Sequence, residues 1–313
     1  MANSDSAVLE QCILWLEQGR GVELVTVART WGSAPRPVGA LAAVRDDGAL
    51  AGSVSGGCVE KQLTQAFIGQ KNSRVFTHRI DDAEARRYGL ACGGEIELVF
   101  ETLSDPAPLR ELLQNLKARK RIRRTVTVGE EQADVCVAKR HDTFTYNGSV
   151  LGKVFGPSWR VLLIGAGELS RYAAEFALAL DFDVVVCDPR PEFRASWSVP
   201  AASLLDNAPH EAVILYGLDV QTAVLALTHD PNLDDMALLE ALPGDSFYVG
   251  ALGSQRNYQR RCKRLSAILE ESEISRLHGP VGLKIGSRTS AEIALSIVAE
   301  LVQLRALISK TRI

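Results

Sequence analysis

Residues 161–188 constrain this chain more than any other segment. Val161, Leu162, Leu163 and Ile164 form a wholly apolar run, and Gly165-Ala166-Gly167 follows at once. A helical stretch then extends to about Leu180, and a second apolar run at 184–187 ends on Asp188-Pro189-Arg190. A short run with no polar alternation suits a strand buried on both faces, as in a parallel sheet covered by helices. A Gly-x-Gly turn between such a strand and a helix lets backbone N–H groups approach a pyrophosphate. An acid at the end of the next strand is placed for ribose hydroxyls. Ser170 stands where the fingerprint's third glycine would be, and is small enough for close helix–strand packing. Further strands are expected at 212–216 and 247–251, alternating with helices near 220–227 and 233–242. From the break at Gly156-Pro157-Ser158, residues 157–313 therefore read as a Rossmann-like doubly wound parallel-sheet domain.

That half offers a second candidate anion site. Gly253-Ser254-Gln255-Arg256 follows the strand at 247–251 and opens a helix bearing Arg256, Arg260, Arg261, Lys263 and Arg264. A phosphate at the helix start and a merely solvated basic face are both open readings. His229 is the best candidate for the acid or base that hydride transfer needs, although a lone histidine there more often caps a helix.

Residues 1–156 read as a mixed α+β domain. Val8, Leu9, Cys12, Ile13 and Leu16 recur at helical spacing; strands are expected at 22–28, 38–44, 74–80 and 95–101. Helices are expected at 59–68 and 108–116, and short hairpin strands at 125–154, turning at Asn147-Gly148. Three glycine-rich segments exceed what a purely structural domain needs. In GSAPRPVGA (32–40), two prolines restrict the loop around Arg36, which is suited to an oxyanion, and Gly39 lets backbone approach a ligand. In GSVSGGCVE (52–60), Ser55, Gly56 and Gly57 lead to Cys58 at a predicted helix start, where a thiolate is stabilised. In the third, Cys92 adjoins Gly93 and Gly94 just before a strand. Two cysteines beside glycine pairs suit a soft metal or a sulfur-bearing ligand. Cys12, Cys136, Cys187 and Cys262 are expected as small core residues.

The net charge of −3 argues against general nucleic-acid binding, and the basic run at 117–124 reads as a solvated helix end and turn or as a docking patch for an anionic ligand or an acidic partner. No secretory signal or membrane-length apolar run is visible, so a cytoplasmic location with reduced thiols is expected. The 313 residues allow two domains of ordinary size.

The blocks GSAPRPVGA, GSVSGGCVE and CGGEIELVFE, in that order, resemble the XdhC/CoxI family of molybdenum-cofactor accessory proteins. VLLIGAGELS, VVVCDPR, YVGALGSQRN, GPVGLKIG and SAEIALSIVAEL in the second half agree, so the resemblance runs from about Val22 to Leu301. It implies a chaperone without turnover of its own. Its cargo would be molybdenum cofactor, as molybdopterin or molybdopterin cytosine dinucleotide, delivered to an apo molybdenum hydroxylase large subunit of the xanthine dehydrogenase or aldehyde oxidoreductase class. A cysteine desulfurase, a cofactor cytidylyltransferase and a second copy of the chain are the implied further partners; nucleic acid and membrane are not. On that reading Arg36, Gly39, Ser55, Gly56, Gly57, Cys92, Gly93, Gly94 and Cys58 hold the cofactor, with Cys58 or Cys92 near molybdenum or sulfur. Gly165, Gly167, Asp188, Arg190, Ser254 and Arg256 would hold a nucleotide. The chain departs from the family pattern at Glu168, where a histidine is frequent, and at Ser290, where a proline is frequent. Those departures point to a branch serving an aldehyde oxidoreductase. An NAD(P)-dependent oxidoreductase and a persulfide-carrying sulfur-transfer protein are the alternatives.

Overall fold

The structure, a computed structural model, describes residues 5–32, 36–55, 71–80, 94–139 and 142–311. The chain forms two compact units, Met1–Pro157 and Ser158–Ile313. The helix expected at 59–68 lies outside the described residues.

In the first unit, helix α1 (Asp5–Glu17) precedes strands β1 (Val22–Gly32), β2 (Leu41–Arg45), β3 (Leu50–Gly52), β4 (Arg74–Ile80) and β5 (Gly94–Leu103). They form an antiparallel sheet in the order β3-β2-β1-β5-β4. Helix α2 (Ala107–Lys117) follows, then a second antiparallel sheet, β7-β6-β9-β8, from β6 (Ile122–Thr127), β7 (Asp134–Val137), β8 (Thr145–Tyr146) and β9 (Val150–Phe155). Val8, Leu9 and Cys12 of α1 pack with Leu109, Leu112 and Leu116 of α2 over one face of β1 and β2. Val25, Val27, Leu98 and Phe100 build a separate core on the other face. The strand expected at 38–44 begins only at Leu41. Before it, Gly39 N–H donates to the Val27 carbonyl and Ala40 N–H to the Pro37 carbonyl, which closes a turn.

Burial explains several charged residues. Glu23 is fully buried in β1, and its carboxylate accepts both Arg74 guanidinium donors, at 2.6 and 2.9 Å, and the Thr102 hydroxyl at 3.3 Å. Paired charges are tolerated inside where lone ones are not. The basic run at 117–124 is divided rather than pooled into one patch. Arg124 is buried against Glu101, whereas Arg121 donates to the Lys139 and Asp142 carbonyls and Arg123 to Thr143 and Thr145. Cys12 is a core thiol, and burial pushes its pKa up to about 12. Cys136, expected inside, is exposed, because β7 is an edge strand with all four residues outward.

The second unit is a parallel sheet, β12-β11-β10-β13-β14-β15. Its strands are β10 (Trp159–Ile164), β11 (Phe182–Cys187), β12 (Ser203–Leu205), β13 (Thr222–Ala226), β14 (Tyr248–Ala251) and β15 (Leu277–His278). Counted from β10, the order is 3-2-1-4-5-6, that of doubly wound dinucleotide-binding sheets. Helices α3 (Glu168–Ala179) and α9 (Ser290–Thr311) cover one face. Helices α5 (Pro209–Tyr216), α6 (Pro231–Ala241) and α7 (Gln255–Leu265) cover the other, and the short α4 (Pro191–Ala195) and α8 (Glu271–Ile274) fill connections.

One pair of elements is the reverse of expectation: 209–216 is helix and 222–226 is strand. Both are apolar runs too short for periodicity to separate them. Pro209 at the first helical position and Glu211 two residues on start α5, leaving Ile214 62% and Leu215 70% exposed. Thr222–Ala226 is buried throughout, between β10 and β14.

Gly52 has φ +73°, and a β-carbon there would lie 2.4 Å from the Leu41 carbonyl oxygen and 2.7 Å from Val8 Cγ2 of α1. Strain and overpacking then act together in Gly52→Ala, which should lose about 2 kcal/mol or more of stability in urea denaturation. An unchanged midpoint would show that both α1 and the backbone at Leu41 can move aside.

Candidate functional sites in the two units

Strand direction gathers the glycine-rich segments of the first unit. β1 runs towards Gly32, and β2 starts from the same end at Leu41. β3 returns to that end at Gly52, and β5 begins there with Gly94 opposite Gly32. All three segments therefore meet the sheet at one end, with the β1–β5 pair reaching beyond β2 and β3. Their described residues divide into roles. Gly52 serves packing, as shown above. The Gly39 carbonyl accepts from Lys153 Nζ at 2.5 Å, and that ammonium also pairs with Asp5 at 2.8 Å. Arg36 is half-buried in the loop between β1 and β2, Ser55 is buried, and Gly94 is paired in the sheet. Gly56, Gly57, Cys58, Cys92 and Gly93 lie outside the described residues.

In the second unit, the Gly165–Gly167 turn leaves β10 at the point where the strand order reverses. Gly165 has φ +106°, and a β-carbon there would stand 3.0 Å from Thr228 Cα, in the loop after β13. This close approach, rather than a ligand, already requires glycine. Gly167 caps α3 in extended geometry and has open space around it. An anion could reach the first-turn N–H groups there.

Asp188 is fully buried at the end of β11. Its Oδ2 accepts from the Ala166 N–H at 2.8 Å and from Arg190 Nη2 at 2.8 Å; Oδ1 accepts from the Arg190 N–H at 3.0 Å and Nε at 2.9 Å. A carboxylate offers about four lone-pair positions, and these bonds use them. Asp188 thus fixes the glycine turn to β11. Arg190, with its guanidinium 3.8 Å over the Phe193 ring, is the more exposed of the two groups. Burial pushes the Asp188 carboxyl up, but the Arg190 and backbone donors outweigh it and hold it below the usual range.

Glu168 and Ser290 touch each other: the Ser290 hydroxyl at the start of α9 donates to Glu168 Oε2 in the first turn of α3, at 2.9 Å. Ser254 caps α7 by accepting the Asn257 N–H at 3.3 Å, while Arg256 is exposed. The basic cleft lies instead along the helix, at Asn257, Arg260, Arg261 and Arg264, facing His229 and Gly253. These positions share one helix face. Arg261 is spent on Asp234, Asp235 and the Leu252 carbonyl, and Arg264 on Asp235. Arg260 has no ion-pair partner among the described residues. The cleft holds about 190 Å³, enough for one anionic group but below the ~300 Å³ at which small-molecule sites begin. His229, at φ +64°, lines it beside Asp230, which caps α6.

Asp188→Asn should cost about 2–3 kcal/mol at neutral pH, because it breaks a largely buried pair. The folded-state pKa lies below the unfolded one, so the wild-type contribution is present above pH ~4 and fades as pH falls further. Denaturation curves should show the gap between wild type and variant closing below pH ~4; a pH-independent gap would contradict the assignment.

Comparison with known proteins finds named relatives in sequence and in fold. Residues 15–77 match the model of the XdhC and CoxI family, and residues 161–301 match the XdhC Rossmann domain. The chain is 30% identical to the molybdenum cofactor insertion chaperone PaoD of Escherichia coli over 97% of its own length and 90% of that protein. It is 27% identical to a Bacillus subtilis protein named as a probable xanthine dehydrogenase component, covering 93% of this chain and 95% of that protein. A crystal structure from Bacillus halodurans described as a xanthine dehydrogenase superposes with TM-score 0.79 at 25% identity, over 97% of this chain and 96% of that one. In sequence and in fold, across nearly its whole length, this chain belongs to the XdhC/CoxI family.

Proposed function

We propose that this protein binds molybdenum cofactor and delivers it to the apo large subunit of a molybdenum hydroxylase of the xanthine dehydrogenase or aldehyde oxidoreductase class. The observation that carries this reading is the convergence of the three glycine-rich segments at one end of the five-stranded sheet. In sequence, those segments also carry Arg36 and two cysteines, Cys58 and Cys92. The cargo is an anionic pterin whose metal is held by sulfur. A guanidinium suits its phosphate, soft thiolates suit its metal or a sulfur in transit, and glycine backbone suits close approach. Near-full-length similarity to a molybdenum cofactor insertion chaperone supports the same cargo. A carrier of this kind encloses a labile ligand and keeps water from it.

In the second unit, the strand order and the open Gly167 helix start favour a nucleotide-bearing ligand. The phosphates of a dinucleotide would suit that start, with Arg190 beside them. The same features are those of an NAD(P)-dependent oxidoreductase, and this is the second reading.

Both are tested by anaerobic purification from cells that make the cofactor, followed by assay for molybdenum and for the fluorescence of oxidised pterin. The carrier reading predicts a near-stoichiometric signal that falls severalfold in Arg36→Ala and in Cys58→Ala. Absence of both signals, with a tightly held nicotinamide nucleotide in their place, would replace it with the oxidoreductase reading.

A further inference from the structure

A β-bulge gives the sheet end a feature that alternation alone would not. Between Val27 and Arg29 the β1–β5 register shifts, so that Val27 faces Leu98 but Arg29 faces Glu97 and Trp31 faces Glu95. Without the extra residue, Arg29 and Trp31 would fall on the Val25–Val27 side, in the buried core. The bulge moves both to the opposite face, with Glu95 and Glu97, and β4 adds Thr77 and Arg79 to the same rows.

The result is a braced ledge. The Arg29 guanidinium lies 5.3 Å from the ring centroids of both Trp31 and Tyr146. The Tyr146 hydroxyl donates to Glu97 Oε1, while Glu97 Oε2 stands 3.7 Å from Arg29, beyond hydrogen-bond reach. Burial first, then Glu97, pushes the Tyr146 phenol up to about 12, so it stays a donor at neutral pH. Trp31 is 43% exposed, an indole face open to solvent at the end where the glycine-rich segments meet the sheet. Arg29 and Arg79 balance Glu97 and Glu95, so nothing on the ledge selects for net ligand charge.

We infer that this ledge seats the planar ring of a 2-amino-4-oxopyrimidine heterocycle, the pterin of the cargo, with Trp31 stacking on its face and Glu97 accepting from its edge. The inference rests on the carrier reading and deepens it. Such an edge carries an amino group beside a ring N–H, two parallel donors that match one carboxylate, and an indole is the side chain best suited to a flat π-system. Glu97 has lone-pair capacity left on both oxygens after its bonds to the protein. A guanine base shares the same edge, so the test must separate the two.

The probe is 6-hydroxymethylpterin, fluorescent and free of metal and phosphate, titrated with the full chain and followed by fluorescence polarisation. Wild type should bind saturably. Trp31→Ala and Glu97→Gln should each weaken binding about tenfold or more, Trp31→Phe should retain most of it, and all three should keep the wild-type melting temperature. Guanosine should compete no better than the pterin. Equal binding by wild type, Trp31→Ala and Glu97→Gln would overturn the inference, as would guanosine binding more tightly than the pterin. If molybdenum cofactor still co-purifies with Trp31→Ala and Glu97→Gln at wild-type levels, the carrier reading stands and the ring seat falls. If wild type retains neither cofactor nor free pterin, the carrier reading falls and takes the seat with it.

Discussion

Strand β1 pairs with β2 on one side and β5 on the other, and the first unit depends on that double pairing. A central strand cannot shift by one residue without turning its apolar side chains from core to solvent. Val25 and Val27 against Leu98 and Phe100, and Leu24 against α1 and α2, therefore lock its register from both faces. The buried Glu23 adds a polar lock, since it reaches Arg74 and Thr102 only in this alignment. With β1 fixed, antiparallel alternation brings Gly32, Gly52 and Gly94 to one end, and the bulge after Val27 turns Arg29 and Trp31 outward there.

The second unit rests on an equivalent lock of different chemistry. Its parallel strands are apolar and self-explanatory; the turn at Gly165–Gly167 is held by Asp188, which joins the end of β11 to the start of α3. An acid at that point of a doubly wound sheet is expected to meet a ribose. Here it is saturated by Arg190 and backbone N–H groups, and the accessible polarity passes to Arg190 and to the start of α3. Glu168 stands in that first turn and accepts from the Ser290 hydroxyl, which ties the starts of α3 and α9 together.

What was legible in the sequence was local. The run from Val161 to Asp188 declares strand, turn, helix and strand within one window, and the glycine-rich segments announce themselves by composition. The α5 and β13 assignments were reversed because each is a short apolar run, and only burial between β10 and β14 distinguishes the strand. Saturation of Asp188 was hidden, because Arg190 two residues away gives no sign of folding back. The cleft face of α7 follows from helical spacing, but its neutralising acids, Asp234 and Asp235, come from another helix. The Trp31 ledge was invisible: a bulge has no sequence signature here, and Glu97 and Tyr146 join it from distant strands.

The central claim is that the protein hands over cofactor rather than merely holding it. The direct measurement is activation of a purified apo molybdenum hydroxylase by the loaded protein, with free cofactor at equal molybdenum as the comparison and excess apo-carrier as competitor. The account predicts faster and more complete activation from the loaded protein, with molybdenum moving from one chain to the other. Activation no better than with free cofactor, or molybdenum remaining on the carrier while the client stays inactive, would contradict it.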